Sequence, residues 1–386
     1  MARAYRYISA DSHMEISPER WRPHVELKHR DRAPRLIELA DGSNAILTEN
    51  APLKIRWVHG SGLSPEEWGH ESGMRLDEVA GGGLPEQRLL EQDMDGVDAE
   101  VLYTSVDAGW NSITDDDAYL ACVRGYNEYL AEEYCAVDPD RLISLGVIPA
   151  RGLEMAIEEL KRCARLGLKG VFLGAFPNGT VQVMPEDDRF WAEAIDLNMP
   201  ISVHTQFRDR GRSSGPDLAR RICTYGVKAA PIASALAIHG VFDRFPTLQV
   251  YFAENQICWI PGFLDSMNVL YNKHHFYHER VQGLKPLSRL PGDIVRDHTL
   301  WGFMDDRVGV ELRGYMGADK SMWSSDFPHA PSDWPHSMNV IDRIFAGVGE
   351  DDKYMMVAGN AIRFFHLDAV KPTADGAQAA AAPGGA

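Results

Sequence analysis

Leu142-Ile-Ser-Leu-Gly-Val-Ile148, then Ala156, Ile157, Leu160 and Ala164 at helical spacing, then Gly167, then Lys169-Gly-Val-Phe-Leu173: this stretch decides the fold. A short apolar run, a segment with one apolar face, a glycine stop and a second apolar run read as strand, helix and strand. A crossover of that length joins parallel strands. Towards the N-terminus the same unit recurs as Ala99-Glu-Val-Leu-Tyr-Thr104, followed by Thr114 as helix N-cap, Asp115, Asp116 and Asp117 in the first turn, and Tyr119, Val123, Tyr126 and Leu130 at helical spacing. Towards the C-terminus the apolar runs Pro200 to Val203, Leu248 to Ala253, Thr299 to Phe303 and Ser321 to Ser324 continue it. With Tyr5 to Ala10 at the start, eight short strands alternate mostly with crossover-length segments. The expected fold is therefore α/β, a (β/α)8 TIM barrel over residues 1–370. An open doubly wound sheet competes, but no G-x-G-x-x-G or P-loop follows any strand.

Two segments break this rhythm. Residues 22–92 are rich in proline and charge, hold Gly81-Gly-Gly83 and a possible strand pair (Ala45 to Thr48, Ile55 to Val58), and lack sustained apolar periodicity. They are expected to form a small cap inserted after the first strand. Residues 371–386 are an Ala-, Gly- and Pro-rich run, expected as a disordered tail.

The 386 residues are 45% hydrophobic and 25% charged, ordinary globular values with ample material for a core. Thirty-nine Lys and Arg against 56 Asp and Glu leave a net charge of −17, which repels phosphate backbones and anionic lipid. Neither a nucleic-acid nor a membrane partner is expected. No apolar run reaches the ~18 residues of a membrane span, and no signal-peptide core precedes Asp11, so a cytoplasmic location is expected. The five cysteines, Cys122, Cys135, Cys163, Cys223 and Cys258, form no C-x-x-C pair and read as buried, reduced thiols.

In such a barrel the chemistry lies at the C-terminal strand ends. Asp11 and His13 end the first strand and alternate onto one face; His204 ends the fifth, Glu254 the sixth and Asp326 the eighth. Each alone reads as a cap or a satisfied polar group. Together, two imidazoles and three carboxylates without a matching Lys or Arg would be costly to bury unless a cation neutralised them. A divalent transition metal, Zn, Mn or Fe, one ion or two, is the simplest such cation. Asp326 or Glu254 would manage the proton, and Arg208 and His329 are candidates to hold the substrate. His239 reads as structural, while His336 is open between a solvent-exposed and a substrate-contacting role. His274, His275 and His278 fall on a helical, Tyr-rich stretch away from any strand end. Lys169 begins its strand, so a bridging carbamylated lysine is not supported.

These residues resemble the amidohydrolase superfamily, in the branch of aminocarboxymuconate-semialdehyde decarboxylase. The likeness runs from Ala10-Asp-Ser-His13 through Gly240-Val-Phe-Asp-Arg-Phe-Pro-Thr-Leu248, Glu254 with Trp259-Ile-Pro261, and Ser325-Asp-Phe-Pro-His329, to Gly359-Asn-Ala361. The resemblance implies a distorted TIM barrel with a metal held by Asp11, His13, His204 and Asp326. Two departures stand out. The family's first-strand motif is usually His-x-His or Glu-based, and its decarboxylases carry a histidine where this chain has Glu254.

Three activities follow as expectations. The first is metal-dependent hydrolysis of a C–N or C–C bond in a small, carboxylate-bearing substrate. The second is non-oxidative decarboxylation of an aromatic or unsaturated acid, and the third a dinuclear non-haem Fe or Mn oxygenase chemistry, motivated by the extra carboxylate. A homo-oligomer is expected, with pairing to a different subunit, or a metal-bearing inactive subunit, as the alternatives.

Overall fold

The computed structural model describes residues 2–49, 52–54, 60–63, 75–76, 78–104, 109–204, 207 and 227–370. Eight parallel strands form its centre: β1 (Ile8–Met14), β2 (Ala99–Thr104), β3 (Leu142–Ser144, continued by Gly146–Val147), β4 (Val171–Leu173), β5 (Ile201–Val203), β6 (Val250–Phe252), β7 (Thr299–Phe303) and β8 (Ser321–Trp323). β1, β2 and the first part of β3 pair as one ladder, and the second part of β3 runs on through β4 to β8 as another. The two ladders join at Leu145, whose N–H donates to Leu102 at 3.2 Å while that of Gly146 reaches Gly170 at 2.9 Å. At the other seam Asp326 donates its N–H to the Asp11 carbonyl and His13 donates to Phe327, at 3.0 and 2.7 Å. The hydroxyls of Ser9, Ser12 and Ser325 lie within 3.2 Å of one another across the same seam. The barrel is closed.

Side-chain alternation sorts the core into two layers. Val101 and Tyr103 point inward with Ile8, Ala10, Ile143, Leu145, Tyr251, Ala253, Leu300 and Met322. Leu102 points outward into the larger cluster between strands and helices. Helices α1 (Pro85–Asp95), α2 (Asp116–Tyr129) and α3 (Leu153–Arg165) follow the first three strands. α3 buries Ala156, Ile157, Leu160 and Cys163 and ends before Gly167, which adopts φ 78° where a side chain would be strained. The N-cap of α2 is Asp115, which accepts from the Ala118 N–H at 2.8 Å, rather than Thr114, whose N–H and hydroxyl are taken by Glu49.

The segment expected as a cap differs in composition. A three-stranded antiparallel sheet of Arg35–Glu38, Asn44–Leu47 and Pro52–Lys54 is present. Ile55 to Val58, expected as one of its strands, lie outside the described residues. Val25 and Ala33 pack into the main core. α1 belongs to the barrel wall, because its Arg88, Glu91, Gln92 and Asp95 are buried; the 22–92 boundary therefore overran a barrel helix whose polar buried face hid it from a search for apolar periodicity. Ser61 does reach the loop after β8, donating its N–H to Pro328 and its hydroxyl to the His329 carbonyl. A methyl group on Gly81 would meet Pro328 at 2.5 Å, so this backbone approach requires glycine.

The long helix α4 (Ile260–Gln282) leaves β6, and α5 (Ser337–Ile344) follows β8. Among the cysteines, Cys122, Cys135 and Cys163 are buried as expected, whereas Cys258 is exposed just before α4 and Cys223 lies outside the described residues. The tail 371–386 also lies outside them. No helix among the described residues is long and apolar enough to cross a membrane.

Candidate metal centre

The exits of β1, β5, β6 and β8 converge. Asp11, His13 and Asp326 are at most 1% exposed, and His204 is buried beside them. The His13 Nε2 lies 3.5 Å from Asp11 Oδ1 and 3.2 Å from Asp326 Oδ1. The His204 Nε2 lies 3.6 Å from Asp11 Oδ2 and 3.5 Å from Glu254 Oε2. His329, three residues past Asp326, turns back to share a hydrogen bond with Asp326 Oδ1 at 3.0 Å and stacks on His13 at 3.8 Å between centroids. Arg208 lies outside the described residues.

Local backbone aims two of these groups. Glu254 and Asp326 both adopt left-handed conformations, φ 55° and 56°, which cost a non-glycine residue about 1–2 kcal/mol. Each bend is held by its surroundings. After Glu254, Asn255 donates its N–H to Gly302 and accepts the Trp259 indole N–H; after Asp326, His329 donates its N–H to the Asp326 carbonyl. Strain retained at two strand ends marks a site where side-chain direction outweighs backbone comfort.

The electrostatics are those of an uncompensated cluster. Both carboxylate oxygens of Asp11, both ring nitrogens of His13 and the Asp326 Oδ2 are buried with no hydrogen-bond partner among the described residues. Burial pushes the Asp11 carboxyl up to about 6 against the pull of His204. Burial, with the His329 and His204 imidazoles nearby, holds His13 well below the ordinary histidine value. At His204 and His329 burial also opposes protonation, but neighbouring carboxylates prevail: Asp11 raises the first and Asp326 raises the second well above its ordinary value. Two overlapping triads, Asp11–His13–His204 and His13–Asp326–His329, each bring three donor atoms within 4.8 Å of one another. A neutral imidazole with free ring nitrogens between unpaired carboxylate oxygens fits a divalent metal.

Other residues singled out in the sequence fall elsewhere. His239 is exposed at the end of the helix Ala230–Ile238, and His336 is exposed before α5. His274, His275 and His278 lie on α4, lining a separate cavity of about 670 Å³. Two neighbours of the cluster escaped the sequence reading. Glu15, buried just past the end of β1, places Oε1 3.8 Å from His329 Nε2; the i, i+2 spacing of residues 11, 13 and 15 was the available signal. Tyr103, from β2, lies against His204 at 5.5 Å between centroids and is hydrogen-bonded to Ser202. Nothing in its apolar run distinguishes it from a core tyrosine.

This geometry sits within a known group of enzymes: the model of the amidohydrolase family matches residues 64–367, and the chain belongs to that family. Within it the chain falls in the branch of the γ-resorcylate and aminocarboxymuconate-semialdehyde decarboxylases. It is 25% identical over 333 residues to the γ-resorcylate decarboxylase of Rhizobium sp., covering 80% of this chain and 93% of the relative. It is 25% identical over 295 residues to the 2-amino-3-carboxymuconate-6-semialdehyde decarboxylase of Dictyostelium discoideum, covering 74% and 77%. Among solved structures, an amidohydrolase from Mycobacterium avium subsp. paratuberculosis superposes with a TM-score of 0.72 at 17% identity, covering 94% of this chain and 99% of that one. The 5-carboxyvanillate decarboxylase of Novosphingobium aromaticivorans, solved with manganese and 4-hydroxy-3-methoxy-5-nitrobenzoic acid, superposes with a TM-score of 0.64 at 18% identity, covering 94% and 96%.

Proposed function

We propose that the chain is a metal-dependent, non-oxidative decarboxylase of an aromatic or unsaturated carboxylic acid. The observation that carries this reading is the buried cluster itself, whose unpartnered Asp11, His13 and Asp326 atoms call for a cation, in a chain whose named relatives are decarboxylases. Hydrolysis, the first expectation from the sequence, has no such support among them. Asp11, His13, His204 and Asp326 would hold the metal, with Glu254 at its edge. When bound, a divalent ion would polarise a substrate oxygen and disperse the charge that builds up as the carboxylate departs.

The protein's own groups would then handle one proton. Breaking the C–C bond releases CO2 and leaves an electron pair on the ring or vinyl carbon, which must take up H⁺. His329, whose protonated form Asp326 and Glu15 favour, would deliver it, and Asp326 would orient the imidazole through their 3.0 Å hydrogen bond. The loop carrying Ser61, seated on the His329 carbonyl, would limit access of water to that carbon.

The test is incubation of the Mn-loaded protein with a panel of hydroxybenzoates and carboxymuconates in D2O. The expected outcome is CO2 release with one deuterium at the vacated carbon; cleavage of a C–N or C–C bond with uptake of water and no CO2 would instead support hydrolysis. The two overlapping triads favour one second reading, a dinuclear centre with oxygenase chemistry. Two metals per chain, falling towards one in Glu254→Gln, together with substrate-dependent oxygen uptake, would establish it in place of decarboxylation.

A further inference from the structure

A second buried charge cluster adjoins the first, and nothing in the proposed reaction uses it. Arg88, on α1, is 1% exposed, and its counter-ion Glu100, on β2, is 3% exposed. The guanidinium grips Glu100 with two bonds, Nε at 2.6 Å and Nη2 at 3.1 Å. Its remaining reach goes to backbone: Nη1 donates to the His13 carbonyl at 2.9 Å and Nη2 to the Phe327 carbonyl at 3.2 Å. The Phe327 carbonyl also accepts the N–H of His13, and the Phe327 ring lies 4.5 Å from the guanidinium carbon. Gln92 completes the set by donating to Glu100 at 2.7 Å and to the Arg141 carbonyl at 3.3 Å.

One planar fork thus ties the residue that carries a candidate metal ligand, His13, to the residue that follows another, Asp326. It does so at the seam where the first and last strands meet. The seam's backbone bonds set how far apart those two side chains stand, and Asp326 approaches from a left-handed backbone, φ 56°. A lysine could supply the charge but not the fork, since only a guanidinium presents several donors in one fixed plane.

Resting on the metal reading above, we propose that Arg88 is a positioning residue for the metal centre, clamping the exits of β1 and β8 at the spacing the ion requires. Groups that orient metal ligands typically change metal affinity 10–100-fold when altered. The test is direct Mn titration of metal-free protein by calorimetry and electron paramagnetic resonance, at a temperature well below unfolding. In Arg88→Met/Glu100→Gln both charges are gone together and Gln92 keeps an acceptor, so the fold should survive. The expected result is an Mn dissociation constant about 10–100-fold weaker, with an altered resonance line shape, and a smaller loss in Arg88→Lys. A folded double variant that binds Mn as tightly as wild type overturns the clamp. Should that variant not fold, wild-type affinity and line shape in Arg88→Lys overturn it. Wild-type protein that takes up none of Mn, Zn or Fe removes the metal reading itself, and the clamp with it.

Discussion

The molecule buries two ionic clusters side by side and treats them oppositely. Around Arg88 the guanidinium and Glu100 answer one another and are completed by two carbonyls and an amide N–H, although Gln92 Oε1 and Glu91 Oε2 beside them have no hydrogen-bond partner among the described residues. Around His13, carboxylate oxygens and ring nitrogens face one another unanswered. Burial alone does not separate them, because Arg88 and His13 are equally inaccessible at 1%. Hydrogen-bond satisfaction does. A satisfied buried cluster holds the chain in place, whereas an unsatisfied one is stable only with something added.

The sharpest way to break this contrast is to remove one partner from each side. Glu100→Ala leaves a buried guanidinium unpaired and should cost about 3–5 kcal/mol in urea unfolding of the metal-free protein. Asp11→Asn should do the reverse under the same conditions, stabilising the metal-free protein at neutral pH by about 1 kcal/mol, since burial already resists ionisation of that carboxyl. Equal signs for the two variants would mean that the clusters do not differ in kind.

Adding the ion is the next largest effect. Mn at a hundred times its dissociation constant should raise wild-type stability by about 2.7 kcal/mol, and this gain should vanish in Asp11→Asn. Urea midpoints with and without Mn measure it.

The strain at Glu254 gives a smaller effect. Glu254→Gly relieves the left-handed backbone but adds freedom to the unfolded chain, for a net gain of at most about 1 kcal/mol in the metal-free protein. Turnover should fall in the same variant. A loss of stability would show that the bend costs nothing.

The finest probe lies at the end of the helix that carries Arg88. Asp95, at the end of α1, accepts the Ser337 N–H and hydroxyl at the start of α5, yet burial pushes its carboxyl up to about 6. Between the ordinary aspartate value near 4 and about 6 the folded protein holds a proton that the unfolded chain has lost. Its contribution therefore falls as pH rises through that window. Asp95→Asn keeps an acceptor for Ser337 and should flatten this part of the stability profile; an unchanged slope across a pH series of urea midpoints would refute the assignment.

Most of the barrel was legible in the sequence because its strands are short apolar runs set off by turn residues. Its polar strand ends, Asp11, His13, His204, Glu254 and Asp326, stood out against those runs, and the structure brings their side chains together. α1 was not legible. Its buried face is Arg88, Glu91, Gln92 and Asp95, so a pattern that equates burial with apolarity places it outside the core. Glu15 was missed because the reading stopped at the Asp11-x-His13 pair, although residue 15 continues the same spacing just past the end of β1. The turn that carries His329 back over His13 depends on the Asp326 backbone bend, which composition does not announce.

The seam also sets an order of events in time. Ser9 and Ser325 touch across 316 residues of sequence, and the candidate ligands on either side of them are separated just as widely. At ~5–20 residues per second a ribosome needs on the order of 15–60 s to supply the second half of the site after the first. Through that interval Asp11 and His13 have no eighth strand to meet. An ion captured afterwards would fasten the two ends of the barrel, so that metal uptake would report a finished chain rather than assist an unfinished one.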